Sequence, residues 1–364
     1  MKTISHILLG FLLIVPTTLS AQIRYQQYYD NEKTKMAVEG PMDDDSTRIG
    51  SWHWFHPNGQ LFREGTYTER GEKAGTWNCY YENGKKMSTE TYTDGKKEGM
   101  YESWYVNGKK QEVIPFVNGK KEGPSKEWHE NGQLKFEGTY QDNELEGRAI
   151  WWTDRGKKDM EGQLVKGDQE GEWLFYWRTN GKIGIKGNYT KGLETGTWIY
   201  YYETGQLWRT GTYRQGERQG HWITYYESGR VLHEGDYRNG KEEGQWKSYY
   251  ENGNVDYVGS FKQGQMDGTW TGYYDDGKTR YTIHYKQGEK HGEEIHYFPN
   301  GKTEYSQNYL NGKLNGNYER FNSAGKIEEK GAFANGEKDG RWVWFDQFGK
   351  EMYTAIFKAG KKVQ

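Results

Sequence analysis

The chain is predicted to be all-β: an elongated single antiparallel sheet of about thirteen 24-residue β-hairpins joined as a meander. Three observations carry this. First, one sentence of sequence recurs: GTWIYYYETGQLWRTGTYRQGERQ from Gly196 is followed by GHWITYYESGRVLHEGDYRNGKEE from Gly220. Second, each copy holds runs of Tyr, Trp and Thr separated by Asn-Gly or a related pair, the pattern of β-strands joined by tight turns. Third, a glycine opens each copy, at Gly50, Gly75, Gly99, Gly123, Gly147, Gly171, Gly196, Gly220, Gly244, Gly268, Gly292, Gly316 and Gly340. A fixed period of this kind marks stacked supersecondary units rather than separate globular domains.

Residues 1–21, MKTISHILLGFLLIVPTTLSA, read as a signal peptide. Lys2 gives the positive start, Ile7 to Val15 the apolar run, and Leu19-Ser20-Ala21 a small-residue cleavage site. The run is too short to span a bilayer, so an exported chain is expected: periplasmic, on the cell surface or extracellular. Residues 22–49 read as an N-terminal cap with a degenerate repeat in Tyr28-Tyr29-Asp30-Asn31, and Asp43-Asp44-Asp45 as a solvated turn. The array occupies 50–360 and a short tail 361–364.

The copies are spaced by 24 residues except for two intervals of 25. The extra residues fall in Thr68-Glu69-Arg70-Gly71 and Arg178-Thr179-Asn180-Gly181, both turn positions. Inside a strand, one added residue would turn every later side chain to the opposite face. Hairpin turns of the two-residue type, with both residues at positive φ, are expected at Asn83-Gly84, Asn252-Gly253 and, more weakly, Thr204-Gly205. A second turn recurs near Asp94-Gly95, Asn118-Gly119, Asn239-Gly240, Asn311-Gly312 and Asn335-Gly336.

Strand alternation predicts two unlike faces. Trp198, Tyr200 and Tyr202 should share a face with Leu207, Arg209, Gly211 and Tyr213, and Trp198 should lie opposite Gly211. An indole beside a glycine covers otherwise bare backbone, and the pairing recurs as Trp52 with Gly65, Trp173 with Gly187, Trp222 with Gly235 and Trp246 with Gly259. The slot of Tyr213 is aromatic in every copy except at Leu164. The other face should carry Tyr201, Gln206, Trp208, Thr210 and Thr212. With strands about 4.8 Å apart, thirteen hairpins would make a twisted ribbon on the order of 120 Å long. Two stretches depart from the pattern: Tyr101, Ser125 and Ala149, then Glu294 and Tyr318, stand where the leading Trp belongs.

Composition narrows function. With 50 Lys+Arg against 52 Asp+Glu, net charge −2, there is no global field to attract nucleic acid. Mean hydropathy is −1.16, yet 16 Trp, 31 Tyr and 13 Phe place the apolar area in rings. Cys79 is the only cysteine, which excludes an intramolecular disulfide. It takes the strand slot of Tyr200, Thr224 and Ser248, a structural position.

The recurring G-x-W-x-x-Y-Y-x-x-G-x-x-x-x-x-G-x-Y-x-x-G-x-x-x-G, intact from Gly196 to Gly220, resembles the MORN-repeat variant, MORN standing for membrane occupation and recognition nexus. The resemblance implies a fold of stacked antiparallel hairpins. Bacterial chains with this variant resemble the YwqK family, commonly labelled antitoxin components, which implies protein binding.

No catalytic constellation stands out. His291-Gly-Glu-Glu-Ile-His296, with His284, lacks the helical i, i+4 histidines of a zinc protease. No cofactor, metal or enzymatic activity is expected. The leading expectation is a secreted, non-catalytic scaffold that binds an unidentified protein partner along its ring-rich face, through Trp173, Trp198, Tyr202, Tyr213, Trp222, Tyr226, Tyr237, Trp246, Tyr250 and Trp270. The alternatives are a glycan or cell-wall ligand stacking on Trp198, Trp222 and Trp246, and tethering to acidic lipid, as the MORN resemblance implies.

Overall fold

The structure is a computed structural model that describes residues 23–364. The signal peptide read at 1–21 lies outside the described residues. All regular structure among those residues is β-strand, and every pairing is antiparallel. Two units can be distinguished, one up to Glu144 and one from Leu145 to Gln364. Each is an open antiparallel meander. The first unit starts with the hairpin Ile23–Tyr28 and Met36–Met42. Its Asp43 caps the following bend, its carboxylate accepting from Asp45 and Thr47 N–H at 3.1 and 2.8 Å.

The copy from Gly196 shows the construction. Its leading strand is Leu193–Tyr201 and its returning strand Leu207–Arg214. Gly196 faces Tyr213, Trp198 faces Gly211 and Tyr200 faces Arg209, the expected register. The register then slips by one, so that Tyr201 faces Leu207.

The slip corrects the expected turn chemistry. The strand ends before Tyr202, whose C=O accepts from Gly205 N–H at 2.9 Å while its own N–H donates to Gln206 C=O at 2.9 Å. Only Gly205 is left-handed (φ +98), whereas Thr204 is not. Asn83-Gly84 and Asn252-Gly253 behave alike, with only Gly84 (φ +77) and Gly253 (φ +95) left-handed. This is a four-residue turn closed by a glycine bulge. The two-residue turns lie at the other end of the hairpin. Arg214 and Glu217 pair across Gln215 (φ +53) and Gly216 (φ +80), both left-handed. The bulge also moves Trp208. Expected on the polar face, its ring instead lies 6.1 Å from both Tyr200 and Tyr202.

A second register shift falls at the opening glycine, and all thirteen openings from Gly50 to Gly340 have φ between +60 and +109. The shift leans the indole back toward the preceding hairpin. Trp198 pairs with Gly211 in the ladder, but the glycine it covers is Gly187, where an added Cβ would lie 2.2 Å from the ring. Gly211 is covered in turn by Trp222, at 2.0 Å. The same relation joins Trp52 to Gly40, Trp77 to Gly65, Trp173 to Gly162, Trp246 to Gly235, Trp270 to Gly259 and Trp342 to Gly331. The expected partners are therefore right as ladder neighbours and wrong as the covered surface.

Most of these indoles then finish the junction with a hydrogen bond; Trp77, whose Nε1 is buried without a partner, is the exception. Trp198 Nε1–H donates to Asn188 C=O at 3.3 Å, Trp222 to Thr212 at 3.2 Å, Trp246 to Asp236 at 3.2 Å and Trp270 to Ser260 at 3.2 Å. The acceptor is always the residue after the covered glycine. Ring edges close the outer side: Tyr213 meets Trp222 edge-on at 5.2 Å and Tyr237 meets Trp246 at 5.2 Å. Arg218 lies over Trp222 at 5.0 Å and Lys338 over Trp342 at 3.7 Å. The core is thus a layer of flat indoles threaded between copies, held by burial, ring-edge contact and cation–π attraction.

Candidate functional site

The expected binding face is largely the internal fabric of the array. Trp173, Trp198, Trp222, Trp246 and Trp270 are only 1–8% exposed. Their faces are therefore covered and not open to a sugar or a partner, a point that strand alternation alone leaves undecided. Tyr213 and Tyr237 are half-buried wedges against those rings. Tyr202, Tyr226 and Tyr250 lie in turns and reach forward, their hydroxyls donating to the C=O of Tyr225, Tyr249 and Tyr273 at 2.7, 2.8 and 2.7 Å. Each tyrosine clasps the next copy, as each indole clasps the previous one.

The indole that remains accessible is one assigned from sequence to the opposite side. Trp208 is 37% exposed. Tyr202 and Tyr200 flank it, and the Arg209 guanidinium stands 5.0 Å from its ring. Alternation alone could not find it, because the bulge at Tyr201 and Leu207 breaks the period of two.

The three histidines do not meet at one point: His284 and His291 line one groove, and His296 lies outside it. His284 Nδ1–H donates to Glu293 C=O at 2.9 Å, while His296 approaches Glu294 at 2.9 Å and stacks on Tyr305 at 4.4 Å. Among the described residues no group of three His, Cys, Asp or Glu gathers as cation ligands. Cys79 is a free, half-buried thiol facing Arg63 and Ser88 in neighbouring strands.

Several carboxylates are shifted from their ordinary range, Glu161 to about 2 among them, and two bear on the departures from the repeat. Glu294, 3% exposed, occupies a tryptophan slot. Burial pushes its carboxyl up, but hydrogen bonds from His296 (2.9 Å), Lys290 (2.8 Å) and Gln307 (3.1 Å) outweigh burial and hold it at about 2. Glu112 faces Glu127 directly across the ladder, and burial followed by that like charge pushes its carboxyl up. Glu127 keeps Lys135 at 3.0 Å.

Comparison with known proteins agrees with the geometry. The family model described as "MORN repeat variant" matches residues 48–69, 73–94, 121–142, 194–215, 218–239, 242–263, 266–287 and 290–311. No curated protein matches the chain. Solved structures similar to it include a TcdB2-TccC3-Cdc42 complex, at 12% identity over 93% of this chain and 22% of that one, with a TM-score of 0.16. Another is the Photorhabdus luminescens Tc holotoxin pore, at 13% identity over 93% and 22%, also with a TM-score of 0.16. The chain therefore spans 22% of the length of those chains, and likeness at that level carries no functional argument. Six of the eight matched copies carry the leading tryptophan, at Trp52, Trp77, Trp198, Trp222, Trp246 and Trp270, and the chain carries eight repeats of the MORN variant.

Proposed function

We infer that this MORN-repeat chain is an exported, non-catalytic scaffold that binds a protein partner, in the manner implied by its resemblance to antitoxin-like chains. The observation that supports this reading most is Trp208, 37% exposed and bracketed by Tyr202 and Arg209 on a rigid sheet. Trp, Tyr and Arg dominate the energetics of protein interfaces, because they offer large contact area at small ordering cost. The anchor is thus a residue outside the ten expected from sequence, of which Tyr202 alone touches it. The buried tryptophans keep that anchor in place.

The experiment is capture from the extracytoplasmic fraction with the full chain as bait. A partner should be retained by the wild type, and Trp208→Ala should weaken its binding by about tenfold or more. An exposed indole also suits a pyranose ring, so titration with cell-wall polysaccharide is the competing arm. Saturable fluorescence quenching that is lost in Trp208→Ala, without protein capture, moves the function to glycan binding. Co-sedimentation with acidic liposomes that fades with salt would instead favour lipid tethering.

A further inference from the structure

The register shift at the opening glycines leaves a shallow groove on the face opposite the indoles. Two such grooves lie two copies apart at equivalent positions, and their chemistry is opposed. The first, of about 530 Å³, is lined by Gln219, Asp236, Arg238 and Glu243 among others. It satisfies itself: Asp236 bonds His221 at 2.9 Å, Arg238 stands 3.9 Å from Glu243, and Glu243 accepts from Gln263 N–H at 2.9 Å.

The second groove, of about 570 Å³, is lined by Lys262, Asp267, His284, Lys286 and His291, with glutamine amides between them. His284 replaces Asp236 and His291 replaces Glu243. Its lone acid is committed, since Asp267 accepts from Gln287 N–H at 3.3 Å. The amines of Lys262 and Lys286 have no ion-pair partner among the described residues. His284 gives its Nδ1–H to Glu293 C=O, which leaves Nε2 for a ligand. His291 stands where Glu243 caps the next turn, yet its Nδ1 is buried with no hydrogen-bond partner. One groove therefore closes its own charge balance, and the other gathers unpaired donors around a cavity of ligand size.

We propose that the groove of Lys262, His284, Lys286 and His291 is a binding site for a small oxyanion ligand, a phosphate or sulfate ester. Charge-assisted hydrogen bonds from the two amines, and from His284 and His291 when the bound anion draws them into the imidazolium form, supply the attraction, and the glutamine amides supply neutral donors. The site is separate from Trp208 and does not depend on that surface binding a protein.

The test is calorimetric titration of the full chain with inorganic phosphate and then sulfate, at constant ionic strength to hold screening fixed. Saturable binding is expected, with acetate weaker. Lys262→Gln combined with Lys286→Gln, both exposed positions, should lower affinity by about tenfold or more. His284→Asp combined with His291→Glu places the first groove's two acids beside Lys262 and Lys286 and should abolish binding, with the circular dichroism spectrum unchanged. Trp208→Ala should bind phosphate like the wild type. Failure to approach saturation by about 10 mM, or equal binding by the lysine variant, overturns the proposal.

Discussion

Two junctions within the second unit, Gly211 to Trp222 and Ile283 to Glu294, solve one packing problem in opposite ways. At the first, an indole lies where a glycine has no side chain. At the second the indole is absent and the glycine has become Ile283, 9% exposed, facing Glu294 directly. The exchange is reciprocal elsewhere too: Tyr318 faces Gln307, and in the first unit Tyr101 follows Glu90 and Ser125 follows Ile114 at the equivalent positions. Ala149 and Gly138, read by sequence position alone, are both small. The repeat thus mostly keeps side-chain volume across a junction rather than residue identity, as close packing requires.

The sharpest way to break this comparison is to exchange the solutions. Trp222→Ala removes a side chain 3% exposed and should cost about 3–5 kcal/mol. Gly211→Ile places a branched side chain where a Cβ would already meet the Trp222 ring at 2.0 Å, and should cost about 3 kcal/mol. The two combined with Glu at 222, as Gly211→Ile with Trp222→Glu, should cost less than the sum of Gly211→Ile and Trp222→Glu measured separately. Denaturant melts of the four chains decide it. Strict additivity would mean that volume is not shared across the junction.

The sequence discloses the period, the strands and the ladder partners, because glycine spacing and alternation are local. It hides which copy an indole covers, since that depends on the register shift at the opening glycine. Trp198 is legible as a glycine's partner, but the choice of Gly187 over Gly211 is set by three-dimensional lean. Trp208 was hidden for the same reason: a bulge of one residue is silent in a pattern of period two. The aromatic character of the candidate face is legible in the sequence, while its burial is not, because the covering rings and cations come from neighbouring copies.

Glu294 sharpens the comparison through pH. Its carboxyl sits at about 2 when folded against an ordinary 4.5, so folding favours the charged form. The stabilisation, up to about 3 kcal/mol by linkage, is complete above the ordinary value and lost as pH falls through the folded one. Between about pH 5 and pH 2, acid should therefore loosen this junction before the glycine–indole junctions. Glu294→Gln should lower stability at neutral pH and flatten the acid limb of the melting curve. An unchanged acid limb would show that Lys290 and His296 do not hold the carboxylate in the folded state.

Glu112 offers the same residue type with the opposite sign and a smaller effect. Burial and then Glu127 raise its folded carboxyl above the ordinary 4.5. Any stability it contributes is complete below that ordinary value and lost as pH rises through the folded one. Glu112→Gln should consequently stabilise the chain at pH 7 by about 0.5 kcal/mol, the scale of a like-charge pair facing across strands. The gain should vanish near pH 4, where the wild-type carboxyl is already protonated. Melting temperatures of both chains across that range read the effect directly. A gain that persists in acid would trace to side-chain packing rather than to charge, and would leave Glu294 as the acid-responsive carboxylate of the pair.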